Sequence, residues 1–150
     1  MLEERFKMVY LKFKLSFYKK IFARFEKRET SLTVTETFCA ELIHALSSPT
    51  VNDFAQFVSI SAQNATHKIN SLVRKGYVTK EQSAYDRREY RLNVTDKFFQ
   101  YYNISMSYVH EVAERMQSRI PSDDLAAFER VLTAICDELT PEIVIVNDKL

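Results

Sequence analysis

One glycine serves the whole of this 150-residue chain, and it stands at position 76. With three prolines beside it, the chain has few residues that turn a backbone sharply, which argues for long helices and a small number of connections. The position of that glycine is therefore informative. A helix that ends abruptly needs a residue tolerating positive φ just past its last turn, and glycine does this without a Cβ penalty. The surrounding stretch, SAQNATHKINSLVRKGYVTKEQSAYDRREYRLNVT over 61–95, reads as a polar-faced helix, a stop at Gly76, and a two-stranded ribbon with an arginine pair near its tip.

The rest of the composition fits a helical chain with a real core. Apolar residues make up 46% and charged residues 27%, which excludes a disordered chain, and eleven Phe and eight Tyr supply large side chains for seams between helices. The net charge of +1 does not by itself indicate a polyanionic partner, but its distribution is uneven. Residues 1–30 carry +5, 31–60 carry −3, 61–95 carry +4 and 96–150 carry −5. A local basic patch, not the total, is the footprint of nucleic-acid binding. A merely solvated surface fits the N-terminal cluster about as well.

Cys39 and Cys136 are far apart and neither forms a CxxC pair, which argues against a disulfide framework or a zinc knuckle. Both fall on helical apolar stripes, so the expectation is two reduced core thiols in a cytoplasmic protein. Lys7, Lys12, Lys14, Lys19 and Lys20 break the apolar residues of the N-terminus, leaving no run long enough for a signal-peptide core or a membrane span.

Residues 4 to about 27 carry two apolar stripes at helical spacing, Leu11, Leu15, Tyr18, Phe22, Phe25 and Phe6, Tyr10, Phe13, Phe17, Ile21. A helix apolar on two sides lies between two bodies, here its own domain and a partner subunit. A membrane-surface helix is the rival, but such helices show one clean apolar face. Three short helices follow. Thr33 to Glu36 is a capping box opening a helix to about Leu46 that should bury Phe38, Cys39, Leu42 and Ile43, with Ser47-Ser48-Pro49 as its stop. Thr50 to Asp53 opens the next, to about Val58, burying Phe54 and Val58. After the tight connection Ser59-Ile60-Ser61, Ser61 caps a helix ending near Lys75.

On that helix Ala62, Ala65, Ile69, Leu72 and Val73 share one face, while Gln63, Asn64, His67, Asn70, Ser71 and Arg74 share the other. The polar face offers amide, hydroxyl, imidazole and guanidinium groups and no acid, a set suited to base edges and phosphates. An ordinary solvated face would mix in carboxylates at i,i+4 spacing. After Gly76, residues 77–82 and 89–94 are strand-like, and Tyr90, Leu92 and Val94 alternate with polar neighbours as a half-buried strand requires. The loop between them holds Asp86, Arg87 and Arg88. Arginines on a projecting ribbon can enter a narrow minor groove, and Asp86 can pair with one of them to hold the tip. Thr95 should cap a helix to about Ile120 with a stripe of Phe98, Tyr102, Val109, Val112 and Met116, broken by Pro121. A last helix starts at Ser122-Asp123-Asp124 and repeats apolar residues at Leu125, Phe128, Leu132, Ile135 and Leu139, a seam demanding a helical partner. Thr140-Pro141 ends it, and a strand-like or loose tail follows.

This order of helices and ribbon resembles the MarR family of bacterial transcriptional regulators along nearly the whole chain. The most specific pieces are Leu32-Thr33-Val34-Thr35-Glu36, then Leu72-Val73-Arg74-Lys75-Gly76-Tyr77-Val78, and Asp86-Arg87-Arg88 followed by Leu92-Asn93-Val94-Thr95. The resemblance implies a mainly α fold with six helices and a small β-wing. It implies a winged helix-turn-helix DNA-binding lobe at about 33–95, and dimerisation helices at about 4–28 and 96–139. It also implies a homodimer on a pseudo-palindromic double-stranded DNA operator, acting as a repressor and released by a small-molecule effector or another signal. Ser61, Gln63, Asn64, His67, Asn70, Arg74, Arg87 and Arg88 are the expected DNA-binding residues. Gln63, Asn64 and His67 stand where the family usually carries small hydroxyl residues and an arginine, so this operator should differ; Arg87 and Arg88 match the family's wing pair.

Enzymatic chemistry finds no footing. A chain with one glycine has no glycine-rich phosphate loop, and His110-Glu111-Val112-Ala113-Glu114 lacks the second histidine of an HExxH zinc helix. No cofactor and no metal is expected. The alternatives are a winged-helix protein-interaction module, or a regulator sensing metal or redox state through His44, His110, Glu114 or Cys39.

Overall fold

The computed structural model describes residues 1–26 and 32–145. Six helices and one ribbon follow in order: α1 (Leu2–Glu26), α2 (Val34–Ala45), α3 (Val51–Phe57), α4 (Ala62–Arg74), β1 (Val78–Gln82), β2 (Tyr90–Val94), α5 (Asp96–Arg119) and α6 (Ser122–Ala134), which runs into a π-helical turn at Ile135–Leu139. The expected continuation of the first helix to residue 28, and the tail beyond residue 145, lie outside the described residues. Two compact units can be separated. One is built from α1, α5 from Asn103 onward, and α6; the other holds residues 32–102.

The second unit owes its shape to helix ends written in the sequence. In α2 the Thr33 hydroxyl accepts from the Glu36 N–H at 3.2 Å while the Glu36 carboxylate accepts from the Thr33 N–H at 2.8 Å. Thr50 and Asp53 repeat the arrangement on α3 at 3.0 and 2.9 Å. Each box satisfies two backbone donors that would otherwise be orphaned. Between α3 and α4 the chain reverses through Ser59 at φ 56°. The Ser59 N–H donates to Gln56 O at 3.2 Å and the Ile60 N–H to Ala55 O at 3.0 Å. Gly76, at φ 79°, ends α4 in the same way, with its own N–H on Val73 O and the Tyr77 N–H on Leu72 O, both at 3.0 Å. Both are Schellman turns. Serine takes the left-handed position once in this pair, and Ser47 (φ 52°) and Ser48 (φ 57°) do so again after α2. Glycine is thus not the only residue bearing a sharp turn here.

Phe54, Ile43, Ile69, Leu72, Leu92 and Phe98 form a core with essentially no exposed surface. β1 and β2 pair antiparallel in the register Val78↔Val94, Lys80↔Leu92, Gln82↔Tyr90. Thr50 adds a single bridge to Arg91, and the Leu92 N–H donates to Pro49 O at 2.9 Å, so the ribbon is anchored to the start of α3. The His44 ring lies 5.4, 5.2 and 4.8 Å from those of Phe98, Phe99 and Tyr102, and burial lowers its pKa below the usual value.

Several sequence expectations are corrected here. α2 buries Glu36, Thr37, Cys39, Ala40, Ile43 and His44, whereas Phe38 is exposed and Leu42 only half-buried. Apolarity alone misplaced this face because it includes polar side chains, with Glu36 hydrogen-bonded and His44 packed among rings. Ala62 is exposed. Tyr77 belongs to the turn and not to the strand, since its N–H closes α4. The Thr95 hydroxyl does not cap its own helix but donates to Gly76 O at 2.6 Å. α6 does start at Ser122 as expected, with Pro121 before it and no side-chain cap. Cys136 is exposed on the π-helical turn, so only Cys39 is a core thiol.

The first unit is different in kind. Its rings meet at Phe13–Tyr108, 5.5 Å apart and edge-on, and Lys20 donates to the Ser107 hydroxyl. Of the two stripes on α1, Phe13 and Phe17 are half-buried and Ile21 buried, while Leu11, Leu15, Tyr18 and Phe22 are exposed. Phe128, Val131 and Leu132 of α6 are exposed as well.

Candidate nucleic-acid interface

α4 buries Ala65, Ile69 and Leu72, and this spacing of four and three turns the residues between them outward. Gln63, Asn64, His67, Asn70 and Arg74 are all exposed. Ser61, also exposed, caps the helix by accepting from the Asn64 N–H at 3.2 Å. The positive end of the α4 dipole and its unpaired N–H groups therefore open beside a hydroxyl, a favourable place for a phosphate. No acid stands in the first turn.

Ser71 leaves the polar face and donates to Glu36, which also accepts from Lys75 Nζ at 2.7 Å. Burial alone would push the Glu36 carboxyl up. The hydrogen bonds from Lys75, Ser71 and the Thr33 N–H outweigh it and bring the pKa down from 4.5 to about 2. One carboxylate thus caps α2 and fastens α4 to it.

The ribbon is fastened to α4 from the other side. Lys80 Nζ donates to Asn70 Oδ1 at 2.6 Å. The amide oxygen of Asn70 is therefore engaged by the ribbon, although the residue is exposed. Lys80 went unnoticed in the sequence, although strand alternation sets it on the half-buried face with Val78. At the base of the ribbon, the Thr95 N–H donates to Tyr77 O at 3.1 Å and Lys97 Nζ donates to Lys75 O at 2.8 Å, lying 4.6 Å over the Tyr77 ring.

The tip separates the two arginines. Asp86 accepts from the Arg88 backbone N–H at 2.9 Å and from its guanidinium at 3.2 and 3.1 Å. These bonds hold the Asp86 carboxyl below its usual pKa. Arg87 is exposed and makes no ion pair among the described residues, while its carbonyl accepts from Gln82 Nε2 at 2.7 Å. Arg88 therefore shapes the tip and Arg87 is presented by it. A third ribbon arginine, Arg91, donates to Ser48 O at 3.2 Å.

The residues named for sensing are dispersed. His110 and Glu114 meet at 3.3 Å on the exposed side of α5, while His44 is buried in the other unit. Among the described residues no group of three His, Cys, Asp or Glu could hold a metal ion. Burial pushes the Cys39 thiol up, against the direction that a reactive thiol requires.

No curated protein matches the chain in sequence. Solved structures match it closely in fold. Streptococcus pneumoniae FabT in complex with DNA shares 18% identity at a TM-score of 0.60, covering 89% of this chain and 92% of that one. A MarR family protein from Bacillus stearothermophilus gives 13% identity and a TM-score of 0.66, covering 93% of each. S. aureus MepR bound to ethidium bromide gives 16% and 0.59, covering 93% and 96%. At such identities the likeness is one of fold. The MarR family profile matches residues 32–90, the span of α2, α3, α4 and most of the ribbon. This family consists of DNA-binding transcription regulators and not enzymes. The MarR family profile thus falls on the winged helix-turn-helix part of this chain, and the fold is that of the MarR-type structures.

Proposed function

We propose that the protein is a sequence-specific transcriptional regulator that binds a pseudo-palindromic operator as a homodimer, represses by occluding transcription, and is released by a small ligand or another signal. The observation that carries this reading is the acid-free exposed face of α4, held in one piece with a ribbon that presents Arg87. α4 enters the major groove, where Gln63, Asn64, His67 and Arg74 meet base edges and phosphates. Ser61 and the start of α4 sit on phosphate, and Arg87 enters the adjacent minor groove. The winged helix-turn-helix lobe comprises residues 33–95, and dimerisation uses the helices on either side of it in sequence. Supporting the dimer, the exposed faces of α1 and α6 leave large apolar side chains in water, and a groove of about 800 Å³ in that unit is lined by Val9, Phe13, Val112, Met116, Phe128 and Leu132. Among the described residues no helix is long and apolar enough to cross a membrane. As a regulator of transcription the protein works in the cytoplasm, beside its DNA.

The test is fluorescence anisotropy on duplex DNA from upstream of the protein's own coding sequence. Arg87→Ala should weaken binding to every sequence and lower the slope of log affinity against log salt by about one. Asn64→Ala or His67→Ala should instead change which bases are preferred, by roughly 1–3 kcal/mol of discrimination per contact. Unchanged low-salt affinity in all three variants would refute the reading.

A further inference from the structure

The wing tip presents a second side chain besides Arg87. Tyr85 is completely exposed, and among the described residues its ring makes no hydrogen bond and no aromatic contact. The backbone beneath it is nevertheless fixed. The Ser83 hydroxyl accepts from the N–H groups of Tyr85 and Asp86 at 3.2 and 3.4 Å. The Ser83 N–H donates to Glu89 O at 2.9 Å, and the Glu89 N–H donates to Asp86 O at 3.0 Å. Asp86 and Arg88 are consumed in holding this turn, as is the Arg87 carbonyl. Besides the Arg88 guanidinium, which is exposed but paired with Asp86, the tip offers outward the Arg87 guanidinium and, two residues before it, one aromatic ring.

We propose that Tyr85 contacts DNA together with Arg87, packing its ring against the sugars that wall the minor groove. This deepens the DNA-binding reading and rests on it. The walls of that groove are largely deoxyribose C–H, and side chains with apolar bodies are the ones that proteins press into it. A tyrosine suits such a place because it brings large, stiff contact area with a polar end that tolerates water. The ring adds no charge, so its share of the affinity is independent of salt, whereas that of Arg87 is not.

The experiment uses full-length protein and a fluorescein-labelled duplex selected by the wild type from a randomised pool. Tyr85→Ala should raise Kd by roughly fivefold or more, the lower end of what an aromatic ring stacked on a base contributes, while leaving the salt slope at the wild-type value. Tyr85→Phe should stay within about twofold of wild type, since it keeps the ring. Arg87→Ala, measured alongside, should lower the slope by about one. If Tyr85→Ala binds as wild type does, or if Tyr85→Phe loses as much as Tyr85→Ala, the contact proposed for the ring is wrong while the DNA-binding reading stands. If the wild type selects no duplex, the DNA-binding reading falls and this inference falls with it.

Discussion

The two compact units bury their apolar residues to very different degrees. In the unit of residues 32–102, Phe54, Ala65, Ile69, Leu72, Leu92 and Phe98 are all at 0% exposure. In the unit made by α1, most of α5 and α6, Ile21 and Ser105 alone reach the buried class among the described residues, and Phe22 stands 74% exposed. The unit of residues 32–102 closes its core within one chain, with capping boxes, Schellman turns and a buried carboxylate fixing most of its helix ends. The unit of α1, α5 and α6 has apolar stripes as regular as any in the molecule but keeps them in water. Regular patterning therefore does not distinguish a face that the chain covers itself from one that it leaves exposed.

The comparison can be broken most forcefully at Phe54. Phe54→Ala should cost the unit of residues 32–102 about 3–5 kcal/mol, the usual penalty for emptying a buried aromatic site, measured by urea denaturation followed by circular dichroism. The matching change in the other unit is Leu132→Asp on exposed α6. It should leave lobe stability unaltered and, if the proposed dimer uses this face, raise its dissociation constant by about a hundredfold in sedimentation equilibrium, because a carboxylate there would have to be desolvated. A loss of lobe stability with no change in assembly would reverse the assignment of roles.

Smaller effects sharpen how the lobe is fastened. The folded-state pKa of Glu36, about 2, lies below the ordinary 4.5. A depressed carboxylate contributes stability fully above the unfolded value, and loses it as pH falls from 4.5 toward 2. Glu36→Gln should therefore cost about 1–3 kcal/mol at neutral pH and flatten the acid limb of the stability curve in that window. An acid limb identical to that of the wild type would mean that Glu36 does not hold α4 to α2. Gly76→Ala should have the smallest effect, roughly 1–2 kcal/mol from the left-handed backbone alone. A new Cβ there meets only Lys97 Cδ at 3.9 Å, so a much larger loss would point to something other than the backbone angle.

Most of the fold was legible because its punctuation is local. Thr33 with Glu36, Thr50 with Asp53, Ser61, and Gly76 each act within a few residues of themselves, and each capping or turning interaction is present. What escaped were interactions between distant positions. Ser71 looked like part of the exposed polar face until Glu36, 35 residues earlier, drew it in. Lys80 looked like an ordinary strand residue, yet it reaches back to Asn70. The division of labour between Arg87 and Arg88 depends on the turn geometry at Asp86, which no residue pattern specifies. The serines at positive φ were invisible for the converse reason, since serine is common where the backbone is ordinary.

The fastening at the base of the wing has a consequence for how such a protein can vary. The chain enters the ribbon at Gly76 and Tyr77 and leaves it at Thr95, and these residues are hydrogen-bonded to one another. The ribbon is thus a closed loop tied at its neck. The closure entropy of such a loop grows only with the logarithm of its length, so residues added or removed at the tip change stability by a few tenths of a kcal/mol. The neck keeps α4 in place whatever the tip does. The ribbon can therefore be lengthened or shortened at its tip without altering α4, so that under the proposed function minor-groove reach and major-groove reading could vary separately.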